Sequence, residues 1–154
     1  MPRIPVPLES CHLIDLPKVT DRRGNLTFVE GSRHIPFPIR RVYYLYDVPG
    51  GAARGGHAHR KLHQLAIAVS GSFEMLLDNG REQTTVRLDR AHTGLIIVPW
   101  VWRELLNFSS GAVCLVLASR PYEEEDYIRH HGEFRALVEA AAAPRRGRKP
   151  SAAG

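Results

Sequence analysis

Apolar and polar positions alternate over short runs along most of the chain, and the dominant period is two. Asn25–Glu30 (NLTFVE) alternates behind the turn-rich DRRG and predicts a strand. Arg40–Val48 (RRVYYLYDV) is dense in aromatic and β-branched residues, a strong strand pattern. Gln64–Val69 and Phe73–Leu77 predict two more strands, joined by a Ser-Gly turn. Asp78-Asn79-Gly80 predicts a type I′ hairpin turn, with EQTTVRL returning as partner strand. Gly94–Pro99 (GLIIVP) predicts a short buried strand, and VWRELLNFS leads to another in AVCLVLAS. PGGAARGG reads as a loop, and the two prolines of IPFPIR keep that stretch out of any sheet centre. The period changes only near the end. A helix is predicted over at least Glu133–Ala142, stopped by Pro144, and the acids Glu123–Asp126 read as its solvated approach. The expected fold is therefore all-β, an antiparallel sandwich or small barrel with a short C-terminal helix. No repeat appears, and residues 1–143 are expected to form one domain.

Composition changes this picture little. The chain has 154 residues, 44% hydrophobic and 24% charged, an ordinary globular mixture. The net charge is +5, but the tail cations Arg145, Arg146, Arg148 and Lys149 leave the rest at +1. Residues 144–154 are Pro/Gly/Ala-rich and expected to be disordered. A nearly neutral folded part argues against nucleic acid as a partner. No apolar run approaches the roughly 20 residues that span a bilayer, so no membrane partner is expected. MPRIPVPLES lacks a secretory apolar region. Cys11 and Cys114 form no disulfide framework, and Cys114 sits in an apolar run as a small hydrophobe. The expected compartment is the cytoplasm.

Chemistry concentrates in Arg54–Gln64, RGGHAHRKLHQ. In a strand, His57 and His59 point together, into the barrel mouth. Gly51, His57, His59, Gln64 and Gly71 have the spacing of the first cupin motif. PWVWRELLNFS echoes the second, with Arg103 or Glu104 at the position of its histidine. A cupin metal centre takes three histidines and a carboxylate. Here Gln64 replaces the carboxylate, and an Arg103 in the third-histidine position would repel a divalent ion. Glu104 or His63 remain as substitute ligands, yet no metal and no cofactor is the favoured reading. Two facing imidazoles without metal suit proton transfer near neutral pH.

RGGHAHRKLHQ, the SGS turn, DNG, GLIIVPWVWRELLNFSS, VLAS and YEEEDYIRHHGEF together resemble the sugar-nucleotide 3,4-ketoisomerases of the cupin superfamily, the WxcM-like proteins. The resemblance runs from about Leu13 to Phe134. It implies a metal-free, dimeric jelly roll acting on dTDP-4-keto-6-deoxyglucose to give a 3-keto-6-deoxyhexose. Moving the ketone from C4 to C3 requires removal of the C3 proton, an enediol(ate), and return of a proton to C4. The resemblance puts the base on His57, with His59 as relay or acid partner. Arg103 and the tyrosines of RRVYYLYDV are candidates to stabilise the developing enolate, with Tyr44 and Tyr46, which share a face, favoured. The diphosphate of a dTDP-linked 4-keto-6-deoxy sugar needs cations; Arg54 is the first choice, then Arg23 and Lys61. Trp102 is assigned either to a wall for the thymine ring or to core packing. Gln64 should line the cavity as a neutral hydrogen-bonding group. Asp78 and Asn79, as turn residues, receive no chemistry.

This sequence has Arg103 where some relatives carry a histidine, and His63 where others carry a glutamate. A cation in the cavity makes Arg103 a candidate determinant of C4 stereochemistry. Competing readings are a metal-dependent cupin such as a dioxygenase, a non-catalytic ligand-binding cupin, and a sugar-nucleotide 3,5-epimerase. The last usually pairs a histidine with a distant tyrosine acid, to which the HAH segment is a poorer match.

Overall fold

The period-two alternation becomes twelve strands within residues 2–144, the part of the chain that the computed structural model describes. They are β1 (His12–Asp15), β2 (Lys18–Asp21), β3 (Gly24–Thr27), β4 (Arg41–Leu45), β5 (Arg54–His59) and β6 (Gln64–Ser70). There follow β7 (Phe73–Asp78), β8 (Gln83–Leu88), β9 (Thr93–Ile97), β10 (Trp102–Leu106), β11 (Val113–Ala118) and β12 (Tyr127–Ile128). One helix, α1 (His131–Ala142), closes the described chain. None of its helices is long and apolar enough to cross a membrane.

Two five-stranded antiparallel sheets build the barrel. One has the order β1-β9-β6-β11-β4 and the other β12-β5-β10-β7-β8. β2 and β3 form a separate hairpin. This is the expected all-β jelly-roll architecture with a short C-terminal helix. The main core joins Phe73, Met75, Leu77, Leu95, Ile97 and Val116 from both sheets. A second cluster joins Leu65, Ile67, Ile96 and Leu117 to Ile35 and Phe37. Ile35 and Phe37 come from the proline-bearing IPFPI segment, which lies outside the strands and covers the back of the first sheet. β6 is thereby buried on both faces, and that explains why LAIA reads as a continuous apolar run rather than an alternation.

One local expectation changes. Asp78 pairs with Gln83, so the hairpin connection is Asn79–Glu82. Only Gly80 there has a positive φ, 95°, whereas type I′ needs two such residues. The Asn79 side chain instead accepts the backbone N–H groups of Arg81 and Glu82 at 2.9 and 2.8 Å. Gly80 is required by close approach, because a Cβ there would lie 2.8 Å from Val138 Cγ1 of α1. The helix, expected over at least Glu133–Ala142, covers that stretch and extends back to His131. Its Phe134 and Val138 share one face and are fully buried, each contributing about 1.5–3 kcal/mol by transfer from water. The expectation of a disordered tail falls, beyond Pro144, outside the described residues.

Candidate active site

The stretch read as a loop, PGGAARGG, contributes its last residues to β5, and its glycines shape the site. β10 pairs Arg103 with His57 but Leu105 with Arg54. Two residue steps on β10 thus face three on β5, which is a β-bulge. Gly55 sits in it with φ +73°, and a Cβ there would lie 2.6 Å from Leu105 Cδ1. Residues three apart normally face opposite sides of a strand. The bulge restores the parity, and both Arg54 and His57 line one cavity.

That cavity, of about 400 Å³, opens between the sheets. Alternation decides who reaches it. β4 sends in Arg41, Tyr43 and Leu45, β6 sends in Gln64 and Ala66, and β10 sends in Arg103 and Leu105. Met75, Ile97 and Val116 form an apolar floor, and Tyr127 and Arg129 stand on the remaining wall. Among the described residues, four arginines and no carboxylate side chain line the cavity.

A buried polar chain crosses it. Arg103 is 1% exposed. Its Nη1 donates to Gln64 Oε1 at 2.6 Å and its Nη2 to Val101 O at 2.8 Å. Burial draws the arginine's pKa downward, but a guanidinium remains cationic and has only donors. Gln64 must therefore present oxygen to Arg103 and nitrogen to Tyr43, and Nε2 donates to the Tyr43 hydroxyl at 3.0 Å. Tyr43 accepts that bond, so its own O–H is left to donate into the cavity.

The two histidines occupy different depths. His57 lines the cavity. His59 is 0% exposed and does not, because β12 pairs with β5 here and sets Tyr127 opposite His59. The rings of His57 and His59 meet edge to face, centroids 4.7 Å apart, with Tyr127 5.1 and 4.3 Å from them. His59 Nδ1 lies 3.0 Å from Asp126 Oδ2. The Nε2 atoms of both histidines are buried without a hydrogen-bond partner. Burial, then the charges of Arg103, Arg129 and Arg41, push the His57 pKa down to about 3. Burial and Arg103 push His59 in the same direction. Both imidazoles are neutral at neutral pH, and His57 is free to take a proton.

The structure brings together Arg54, His57, Gln64 and Arg103 around the cavity, with His59 behind them. It does not bring in the other sequence candidates. Tyr44 on the outer face of β4 and Tyr46 just beyond its end are 60% and 61% exposed; the tyrosine that reaches the site is Tyr43, next to Tyr44. Trp102 neighbours Arg103 in a strand and so faces outward, packing on Phe134 and His131 of α1. That is the core-packing alternative. Arg23 pairs with Asp21 at 2.6 Å at the tip of the β2–β3 hairpin, and the Lys61 side chain points to solvent. Tyr43 is among the tyrosines of RRVYYLYDV that the sequence offers, whereas Arg41, Tyr127 and Arg129 receive no role from the sequence. Nor does Asp126, which is 6% exposed rather than part of a solvated helix start. Asp78 is buried as well, and it ties His131 of α1 to the barrel at 2.8 Å.

The donor set does not suit a divalent metal ion. Among the described residues no three His, Cys, Asp or Glu side chains converge. The position of a third ligand is filled by the Arg103 guanidinium, whose charge opposes a cation. His63 packs on Phe37, ring centroids 6.1 Å apart, away from the cavity. Glu104 lies outside the cavity lining.

Residues 9–139 match the family described as FdtA: WxcM-like, C-terminal. A TDP-4-oxo-6-deoxy-alpha-D-glucose-3,4-oxoisomerase of Aneurinibacillus thermoaerophilus is 42% identical over 126 residues, 82% of this chain and 91% of that protein. The structure of QdtA, a sugar 3,4-ketoisomerase from Thermoanaerobacterium thermosaccharolyticum in complex with TDP, is similar with a TM-score of 0.84. Its identity is 41%, over 86% of this chain and 97% of that one. A variant of the same enzyme in complex with TDP-4-keto-6-deoxyglucose gives 0.83 at 40% identity, over 84% and 94%.

Proposed function

Because this chain belongs to the FdtA family of WxcM-like proteins, we propose that it is a sugar-nucleotide 3,4-ketoisomerase acting on TDP-4-keto-6-deoxyglucose. The observation that carries the reading is His57, a neutral and unpartnered imidazole in a cavity lined by four arginines. A nucleoside diphosphate sugar asks for that combination, cations for its phosphates and a base for its sugar.

In the proposed reaction the His57 imidazole takes the proton from C3, which the neighbouring C4 carbonyl acidifies. The C3–H electron pair becomes the C3–C4 double bond, and the carbonyl pair moves onto the C4 oxygen. The free O–H of Tyr43 and the fixed charge of Arg103, both in the cavity lining, are assigned to stabilise that enolate. The C4 oxygen then takes a proton and the C3 hydroxyl gives one up; as the O–H pair of C3 becomes its carbonyl, the C3–C4 double-bond pair takes a proton at C4, leaving the ketone at C3 and a hydroxyl at C4. Atoms and electrons balance without a redox partner. Arg54, Arg41 and Arg129 are assigned to the diphosphate, and His59 to proton relay behind His57.

We further propose a homodimer. Val42, Tyr44, Tyr46 and Val69 expose apolar surface on the first sheet, and the separate β2–β3 hairpin exposes Val19 and Leu26. A single chain leaves this surface in water, and a second copy would cover it. Two unpaired thiols, Cys11 and Cys114, support the reducing cytoplasm as the compartment. The test of the functional reading is incubation with TDP-4-keto-6-deoxyglucose, followed by NMR of the sugar. A TDP-3-keto-6-deoxyhexose is expected, and unchanged substrate would end the reading.

A further inference from the structure

We infer that Asp126 is a positioning residue that holds His59 with its proton on Nδ1 and its Nε2 bare. The inference deepens the proposed function and rests on it, because it gives His59 a defined role in proton transfer. Three observations carry it. His59 is fully buried, and its Nδ1 lies 3.0 Å from Asp126 Oδ2. A carboxylate only accepts, so the neutral imidazole must place its hydrogen on Nδ1. The other ring nitrogen, Nε2, is buried with no partner.

The carboxylate cannot turn away. Its Oδ1 accepts the backbone N–H of Lys61 at 2.7 Å, and its Oδ2 that of Leu62 at 3.3 Å. The backbone of the same residue accepts the N–H of Arg60 at 3.0 Å. Asp126 is thus fixed from three neighbouring amides, and it fixes His59 in turn. A bare Nε2 can take a proton, and the imidazolium so formed would sit against a carboxylate in a low-dielectric site. Without Asp126, burial and the nearby arginines leave that cation unsupported. The dispensable alternative is a brace that merely holds the turn after β5. A brace and a tautomer lock differ in what they do to the imidazole, and the experiment reads the imidazole.

Asp126→Asn separates them. Asn can keep its oxygen on Lys61, the shorter amide bond, and place its NH2 at the Oδ2 position. His59 Nδ1 must then accept, and its hydrogen moves to Nε2. Two-bond ¹H–¹⁵N spectra of histidine-labelled protein should show His59 protonated on Nδ1 in the native chain and on Nε2 in the variant. kcat on TDP-4-keto-6-deoxyglucose should fall about 100-fold or more, with TDP affinity unchanged. Protonation on Nε2 in the native protein overturns the inference, and that spectrum decides it even if the variant does not fold. A switched tautomer with kcat within threefold of native overturns it as well. Absence of turnover by the native protein would sink the functional reading instead, while the native spectrum still tests the lock.

Discussion

Arg54 and His57 stand three residues apart in β5 and yet face the same cavity, because the bulge at Gly55 shifts the register between them. The cation proposed for the diphosphate and the base proposed for the sugar are thus set on one cavity wall by one residue of backbone. The positive φ of Gly55 strains any other residue there, and an added Cβ, 2.6 Å from Leu105 Cδ1, would push that side chain aside. Gly55→Ala should therefore destabilise the fold by about 1–3 kcal/mol and lower kcat/KM. Urea unfolding and steady-state kinetics check this. A variant as stable and active as the native chain would show that the bulge does not set the site.

The four arginines predict a division of labour. Arg41→Gln and Arg129→Gln each remove a charged donor from the cavity wall. Such bonds are worth about 1.5–3 kcal/mol, so TDP affinity should drop about tenfold to a hundredfold. Arg129 also holds Glu124 at 2.6 and 2.7 Å, an exposed pair whose loss should matter little to stability. Lys61→Gln should leave TDP binding unchanged. Titration calorimetry distinguishes these outcomes, and equal losses at Lys61 and Arg129 would contradict the assignment.

The depressed pKa of His57 has two consequences for pH. The base is already deprotonated well below neutrality, so kcat/KM should show no acid limb at the ordinary histidine value of 6.5. Stability should depend on pH in a defined direction. The unfolded chain protonates this histidine below about 6.5, whereas the folded chain waits until about 3. Between those values the unfolded state binds more protons, so stability falls as pH is lowered through the window. Thermal melts across it should show a shallower slope for His57→Asn than for the native protein. A histidine limb at 6.5 in the rate profile would mean that the imidazole is not held neutral.

Tyr44 is the place to test assembly. It is exposed beside Tyr46, ring centroids 5.7 Å apart, and no contact of the single chain explains an aromatic pair there. Light scattering should report twice the 17.3 kDa chain mass, and Tyr44→Arg should shift the population toward monomer. A native protein that stays monomeric at working concentration would refute the dimer.

Period and turn chemistry made most of the barrel legible, because each face of a strand must be wet or buried. The limits lie where both faces carry similar residues. In RRVYYL, Arg41 and Tyr43 alternate with Val42 and Tyr44, and either set fits a core. A slip of one residue exchanges them, which is how Tyr44 and Tyr46 were preferred to Tyr43. Trp102 adjoins Arg103 in a strand, so both cannot face the cavity, and of its two sequence readings core packing is the one compatible with Arg103 in the lining. The bulge was masked by its own glycines, which read as loop. Asp126 was masked by the acids before it. What distinguishes it is long-range, a pairing of β12 with β5 that no local pattern announces.

The central claim is that His57 is the base that moves the ketone. Its direct test is the kcat of His57→Asn on TDP-4-keto-6-deoxyglucose, followed by NMR, with TDP affinity measured on the same preparation. Native-like TDP binding is expected, with a loss of turnover of about 10²–10⁴-fold or more. Turnover within a few fold of the native rate, in a folded variant that binds TDP, would contradict that claim.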